Sequence, residues 1–82
     1  MFESAISILK ENGIVSKIAR HTGIARCNVS LVVNGRRRAT VKQAALLEEE
    51  FIRIGVPINR WDMLYGMEKG ESFCAYLNRK EA

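Results

Sequence analysis

Residues 15–35 read VSKIARHTGIARCNVSLVVNG, and this segment predicts two short helices joined by a glycine-containing turn. Ser16 is a candidate N-cap of the first helix, which ends near residue 22. Ala19 is small enough to stand where two helices cross, and Gly23, four residues later, tolerates the positive φ that a tight turn needs. The segment therefore predicts a helix, a turn and a second helix packed at close range.

The second helix is predicted over 26–33, where Val29, Val32 and Val33 recur at helical spacing. β-branched residues lose χ1 freedom in a helix, so packing must hold this one together. Asn34-Gly35 closes it. With the valines turned inward, the opposite face presents Arg26, Cys27, Asn28, Ser30, Leu31 and Asn34.

Further helices flank this pair on both sides. The spacing of apolar residues predicts helices over 2–12, 41–54 and 60–65. Thr40 and Gln43 have the spacing of a capping box at the start of the longest one. The core-facing residues predicted on the last two of these helices are Val41, Ala44, Leu47, Phe51, Ile54, Trp61 and Leu64.

The tail over residues 71–78 fits two interpretations. A helix would place Phe73, Tyr76 and Leu77 on one side, whereas a strand would alternate Phe73, Ala75 and Leu77. A chain of 82 residues has room for one core. The sequence therefore predicts one all-α domain of five short helices with a short C-terminal helix or strand.

Charge is unevenly distributed along the chain. There are 13 Lys and Arg against nine Asp and Glu, a net charge of +4. Residues 12–47 contain seven bases and no acid, while the remaining residues hold six bases against nine acids, a net charge of −3. This division indicates a half that binds a polyanion rather than an evenly solvated surface.

The sequence contains no set of catalytic or metal-binding groups. His21 stands alone, and Cys27 and Cys74 are too few and too far apart for a disulfide framework or a zinc site. Residues 48–50 are three glutamates, but successive helical residues point about 100° apart, so a solvated face is expected there. We therefore expect that the protein is not an enzyme and that it binds no cofactor and no metal ion. The absence of a signal peptide or apolar span predicts a cytoplasmic protein with no membrane contact.

The central segment resembles the helix-turn-helix of the lambda-repressor-like superfamily, the Cro/XRE-type DNA-binding proteins of phages and prophages. The matching features are Ile18-Ala19, Gly23-Ile24, the Val29-Ser30 pair and the closing Asn34-Gly35. One departure is Ala25, a weak N-cap for the second helix. The match is close over 15–35, and the surrounding helices extend it to about residue 65.

The resemblance implies a helix-turn-helix domain over residues 1–66, with the motif at about 15–34 and a C-terminal segment, 67–82, for dimerisation. The second motif helix would then lie in the major groove of DNA, which makes its six outer-face residues the base-contacting candidates. The phosphate-contacting candidates are Ser16, Lys17, Arg36, Arg37 and Arg38. The dimer-interface candidates are Trp61, Leu64, Phe73 and Tyr76.

The function expected from the resemblance is that of a dimeric Cro-like repressor. It would bind a pseudo-palindromic operator in double-stranded DNA, without a small-molecule effector, in a prokaryotic or phage-infected cell. The alternative is an antitoxin that autoregulates its operon and binds a toxin through its C-terminal segment. An exposed C-terminal segment that orders only with a partner would favour that alternative.

Overall fold

The computed structural model describes residues 2–81. Met1, the first residue of the predicted DNA-binding domain (1–66), and Ala82, the last residue of the predicted C-terminal segment (67–82), lie outside the described residues. Over this range the chain forms helices and no strand, which confirms the all-α prediction. The helices are α1 (Glu3–Leu9), α2 (Ile14–Thr22), α3 (Arg26–Val33), α4 (Val41–Ile54), a π-helical turn (Asp62–Gly66, hereafter the π-turn) and α5 (Phe73–Glu81). No helix within the described range is long and apolar enough to cross a membrane.

The bounds of α3 match the prediction, and its three valines are buried. In contrast, α2 begins at Ile14, earlier than a Ser16 cap predicts. Gly13 precedes the helix with φ of +81°, a conformation that reverses the chain after α1 and starts α2 at once. Ser16 therefore lies inside the first turn of α2 instead of capping it.

The predicted capping box opens α4. The Gln43 amide donates to Thr40 Oγ1 at 3.1 Å, and the Thr40 amide donates to Gln43 Oε1 at 3.1 Å. These bonds satisfy amides that have no partner inside the helix. The helix then runs over the predicted residues, 41–54.

The C-terminal helix closes the core. Phe73, at the start of α5, meets Phe51 of α4 edge-on, with ring centroids 5.7 Å apart. Tyr76 and Leu77 are buried as well, and α5 packs against α1. The helical interpretation of residues 71–78 is therefore correct, and this segment belongs to the same core as the helices before it.

Hydrogen bonds from Tyr76 and Arg79 connect α5 to the π-turn. The Tyr76 hydroxyl donates to Asp62 Oδ1 at 2.5 Å; burial, followed by this bond, raises the pKa of Tyr76 to about 12. The Arg79 guanidinium donates to the Glu71 carboxylate at 2.8 Å and to the Gly66 carbonyl at 3.0 Å. The Arg79 hydrogen bond is the main cause that holds the pKa of Glu71 below its ordinary value.

Two residues predicted to face the core are on the surface. Val41 is 70% exposed because it is the first residue of α4 and lies at the open end of the helix. Trp61 is 62% exposed because the chain widens into the π-turn directly after it, and Met63 and Met67 are the side chains buried there. The α-helical spacing that directed Trp61 inward does not hold in this wider turn.

Candidate nucleic-acid interface

The turn between α2 and α3 comprises residues 23–25 and is held by one side chain. Gly23 has φ of +77°, and a Cβ there would meet nothing within 4 Å, so this glycine is needed for its backbone conformation alone. Thr22 Oγ1 donates to the Ile18 carbonyl at 2.7 Å and accepts from the Ile24 amide at 3.3 Å. These contacts set the direction in which α3 leaves the turn.

The outer face of α3 carries all six predicted base-contacting residues. Arg26, Cys27 and Asn34 are exposed, and Asn28, Ser30 and Leu31 are partly exposed. Asn34 Nδ2 donates to the Ser30 carbonyl at 2.9 Å and lies 3.4 Å from Ser30 Oγ. The side chain of Asn34 is therefore engaged within α3, while that of Arg26 projects into solvent.

Arg37 connects the loop after α3 to the outer face of that helix. Its Nη1 donates to Asn28 Oδ1 at 2.8 Å. Asn28 would use the same oxygen to accept from adenine N6. The structure thus brings together one residue predicted to contact phosphate and one predicted to contact a base, and Arg37 holds the Asn28 side chain in place.

Arg38 has a structural role that the sequence did not reveal. Its guanidinium donates to the Leu64 carbonyl at 3.1 Å and to the Met67 carbonyl at 2.9 Å. It therefore joins the loop after α3 to the π-turn. Carbonyl acceptors that lie 26 and 29 residues further along the chain give no local signal in the sequence.

The basic residues of the 12–47 segment have no acidic partners among the described residues. None of the seven forms an ion pair with any residue that the structure describes, and Arg37 and Arg38 bond neutral oxygens instead. The full set is Lys17, Arg20, Arg26, Arg36, Arg37, Arg38 and Lys42. Four of the six basic residues elsewhere do pair with a described acid: Arg53 with Glu50, Arg60 with Glu48, Arg79 with Glu71 and Lys80 with Asp62. The positive charge of α2, α3 and the following loop is therefore not neutralised by any ion pair among the described residues.

Comparisons with known proteins do not assign the chain to a group. No protein-family model, no curated protein and no solved structure matches it. The chemistry of this surface follows from its own residues.

A carboxylate beside α2 is buried, although its sequence pattern predicts an exposed position. Glu50 of α4 is 6% exposed; its Oε2 accepts from Arg53 Nη2 at 2.7 Å and lies 2.9 Å from His21 Nδ1. The Arg53 hydrogen bond above all, and the His21 contact after it, hold the pKa of Glu50 below its ordinary value despite burial. Glu50 lies three residues after Leu47 and four before Ile54, and residues at these spacings share one face of a helix. This position on the inner side of α4 is the signal that could have found it.

His21 can make one of two contacts in this cluster at a time. Its Nδ1 is 2.9 Å from Glu50 Oε2 and 2.8 Å from Arg53 Nη2. The nitrogen donates to Glu50 when it carries a proton and accepts from Arg53 when it does not. Either arrangement joins α2 to the C-terminal half of α4.

Glu48 is also held by the fold, so the predicted solvated face over 48–50 is wrong for two of its three residues. Glu48 accepts from the Arg60 backbone amide at 2.9 Å and from Arg60 Nε at 3.0 Å. These bonds, with the backbone bond first, lower the pKa of Glu48. Glu49 alone of the three is exposed. Within the described part of the chain, no three His, Cys, Asp or Glu side chains come close enough together to hold a metal ion.

Glu50→Gln is expected to lower the free energy of unfolding at neutral pH by about 1 kcal/mol, because a neutral amide bonds Arg53 and His21 less strongly. Glu50 has a lowered pKa in the folded state, so its contribution is fully present above the unfolded value and fades as the pH falls through the folded value. Urea titrations between pH 7 and pH 3 should show the difference from wild type shrinking below about pH 4.5.

Glu49→Gln is the matched control, since it removes the same charge from an exposed neighbouring position on α4. Equal losses in the two variants at pH 7 would show that the ion cluster does not stabilise the fold.

Proposed function

We propose that this chain is a sequence-specific, double-stranded DNA-binding transcriptional regulator of the Cro-like helix-turn-helix type. The observation that carries the proposal is the set of lysine and arginine side chains on α2, α3 and the following loop that lack acidic partners among the described residues. Unneutralised guanidinium and ammonium groups beside an exposed helix face are suited to a phosphate backbone and to the base edges between its strands.

In this proposal α3 enters the major groove with its outer face toward the bases. Arg26, in the first turn, has no ion-pair partner within residues 2–80 and can donate two hydrogen bonds to guanine O6 and N7. Cys27 and Leu31 offer apolar contact to thymine methyl groups. Asn28 reads a base when the Arg37 guanidinium leaves Asn28 Oδ1 and donates to a phosphate instead.

Phosphate contacts come from both sides of α3. Lys17 and Ser16 lie in the first half of α2, and Arg36 and Arg37 lie in the loop after α3. Arg38 differs from these, because its bonds to the Leu64 and Met67 carbonyls assign it to holding that loop in position. The loop therefore presents two arginines to DNA and uses the third as its anchor.

A second copy of the chain completes the proposed regulator, because one recognition helix reads only a few base pairs. Trp61 and Tyr65 stack with centroids 5.9 Å apart and are both exposed, as is Ile52 on α4. Phe73 and Tyr76 are buried within the single chain, which removes them from the predicted dimer surface. In the proposal, this apolar patch pairs with its counterpart on the second copy about a twofold axis.

The antitoxin alternative has less support. It requires a C-terminal segment free to bind a toxin, whereas the apolar side of α5 is packed into the core. If α5 left the core to bind a toxin, its buried side chains Phe73, Tyr76 and Leu77 would become exposed, and the fold would lose much of its buried apolar surface.

The proposal is tested by selecting duplexes from a random pool with the purified chain and measuring the salt dependence of binding. We expect enrichment of an inverted repeat with half-sites about one helical turn apart, and a log-log slope near −0.9 for each phosphate neutralised. Recovery of unenriched sequences, or a flat salt dependence, would overturn it.

The double variant Arg36→Ala/Arg37→Ala is expected to weaken binding to all duplexes about tenfold and to reduce the salt slope by about two, since each arginine neutralises one phosphate. Filter binding across salt concentrations measures both quantities. Loss confined to the selected operator, with the slope unchanged, would instead assign these arginines to base contact.

Trp61→Glu is expected to shift the protein to monomer, because it places a charge in the apolar dimer surface, and its 62% exposure leaves the fold intact. Sedimentation equilibrium measures the change. Val41→Glu introduces the same charge at another exposed apolar position, on the first turn of α4. An equal shift by the control variant would argue against a specific surface at Trp61.

A further inference from the structure

A groove lies where α1, α2 and the end of α4 meet, away from the outer face of α3. Its volume is about 410 Å³ and it is open to solvent on one side. Three isoleucines, one from each element or its adjoining turn, supply the apolar part of its wall: Ile8, Ile14 and Ile54. Ile8 and Ile54 remain partly exposed.

The rest of the groove wall is strongly basic. Lys17 and Arg20 line it with no acidic partner among residues 2–80, and His21 and Arg53 line it from the Glu50 cluster. Glu11 is the acidic residue in the wall. The groove thus combines an apolar strip with two uncompensated positive charges on α2, one helical turn apart.

We propose that this groove binds an acidic amphipathic peptide segment of a partner protein. Carboxylates of the segment pair with Lys17 and Arg20, and its apolar side chains cover the isoleucines. The phosphates of a nucleic-acid strand would pair with Lys17 and Arg20 but would leave the isoleucines uncovered. A small ligand would stay largely exposed to solvent in an open groove. An amphipathic helix matches both parts of the groove wall: apolar side chains three and four residues apart cover the isoleucines, and carboxylates beside them face Lys17 and Arg20.

This binding would regulate the DNA interface, a consequence that rests on the proposed function. Lys17 belongs both to the groove and to the proposed phosphate contacts. A carboxylate that pairs with Lys17 removes it from the DNA backbone and brings negative charge beside α2. The acidic segment and DNA therefore compete, and the partner acts as an antagonist of DNA binding.

The test uses the full chain and a fluorescein-labelled helical peptide of about 14 residues with leucine on one face and glutamate on the other. Fluorescence anisotropy is measured without DNA, so the result does not depend on the proposed function. We expect saturable binding that weakens at least about tenfold when the peptide's glutamates become glutamine or its leucines become serine. Equal binding by the serine peptide would overturn the proposal, as would saturable binding of decanoate with none of the peptide.

Arg20→Glu in the protein is expected to weaken peptide binding by about tenfold or more, because it places a like charge against the peptide's carboxylates. Lys42→Glu is the matched control: it reverses an exposed base that has no ion-pair partner in the described chain and does not line the groove. Thermal melts establish that both variants fold. An equal loss of peptide affinity in the control would show that only the net charge of the protein matters, and it would overturn the proposal that the peptide binds in this groove.

Competition is measured separately, by adding peptide to the chain bound to labelled duplex. Release of the duplex in step with peptide binding supports competition at Lys17. Peptide binding with no change in DNA affinity overturns the regulatory role, whereas failure of the duplex selection with peptide binding intact overturns only the proposed function.

Discussion

Gly35→Ala is expected to lower the free energy of unfolding by about 2–5 kcal/mol, the sum of left-handed strain and steric overlap. Gly35 has φ of +77°, and a Cβ at this position would lie 2.6 Å from the Glu71 carbonyl carbon and oxygen and 2.7 Å from the Gly70 oxygen. These are backbone atoms, so the loop after α3 and the segment before α5 would have to separate. The midpoint of urea or thermal unfolding measures the loss.

Gly55→Ala is the control for backbone strain alone. Gly55 ends α4 with φ of +86°, and nothing lies within 4 Å of a Cβ built there. We expect a loss of about 1–2 kcal/mol in this variant. A Gly35→Ala loss no larger than this would mean that residues 70–71 do not press against the end of α3.

Arg26→Ala is expected to remove about 1–3 kcal/mol of discrimination at one base pair of each half-site. A guanidinium that donates to both O6 and N7 of guanine distinguishes this base from the others, and alanine cannot. Competition binding with duplexes substituted at each position of the selected operator measures the loss, position by position. Arg26 is exposed and has no ion-pair partner in the described residues, so the stability of the fold should not change.

Lys69→Ala provides the matched control for net charge, because Lys69 is an exposed base outside the 12–47 segment. It should leave the preference at every operator position unchanged. If Arg26→Ala lowers affinity equally for all substituted duplexes, Arg26 contacts phosphate and another residue of the α3 outer face reads the base.

Local signals predicted much of the fold. The bounds of α3 and α4 were correct because valine spacing and the Thr40–Gln43 capping box depend on residues a few positions apart. The start of α2 was misplaced because two local signals competed, a Ser16 cap and a left-handed Gly13, and the glycine prevailed. Trp61 was misplaced because the π-turn alters the helical period on which the prediction relied.

The candidate site shows the same division between local and distant contacts. Exposure of Arg26 and Cys27 on α3 followed from the inward valines alone. By contrast, the bond from Arg37 to Asn28 depends on how the loop after α3 folds back. A side chain in a loop has many rotamers, and only the neighbouring surface selects among them.

The amino-acid sequence alone determined the all-α class, the presence of two helices joined by a turn within residues 15–35 and the segregation of charge, because each depends on composition or on spacing between nearby residues. Only the tertiary structure decided that Glu50 would be buried against His21 and that Arg38 would donate to the carbonyls of Leu64, in the π-turn, and of Met67, directly after it. It also decided that the tail would form α5 instead of a strand, because the burial of Phe73 against Phe51 selects the helix. These outcomes depend on which surfaces meet after the chain has folded, and contacts between residues 20 to 30 positions apart leave no periodic pattern in the sequence.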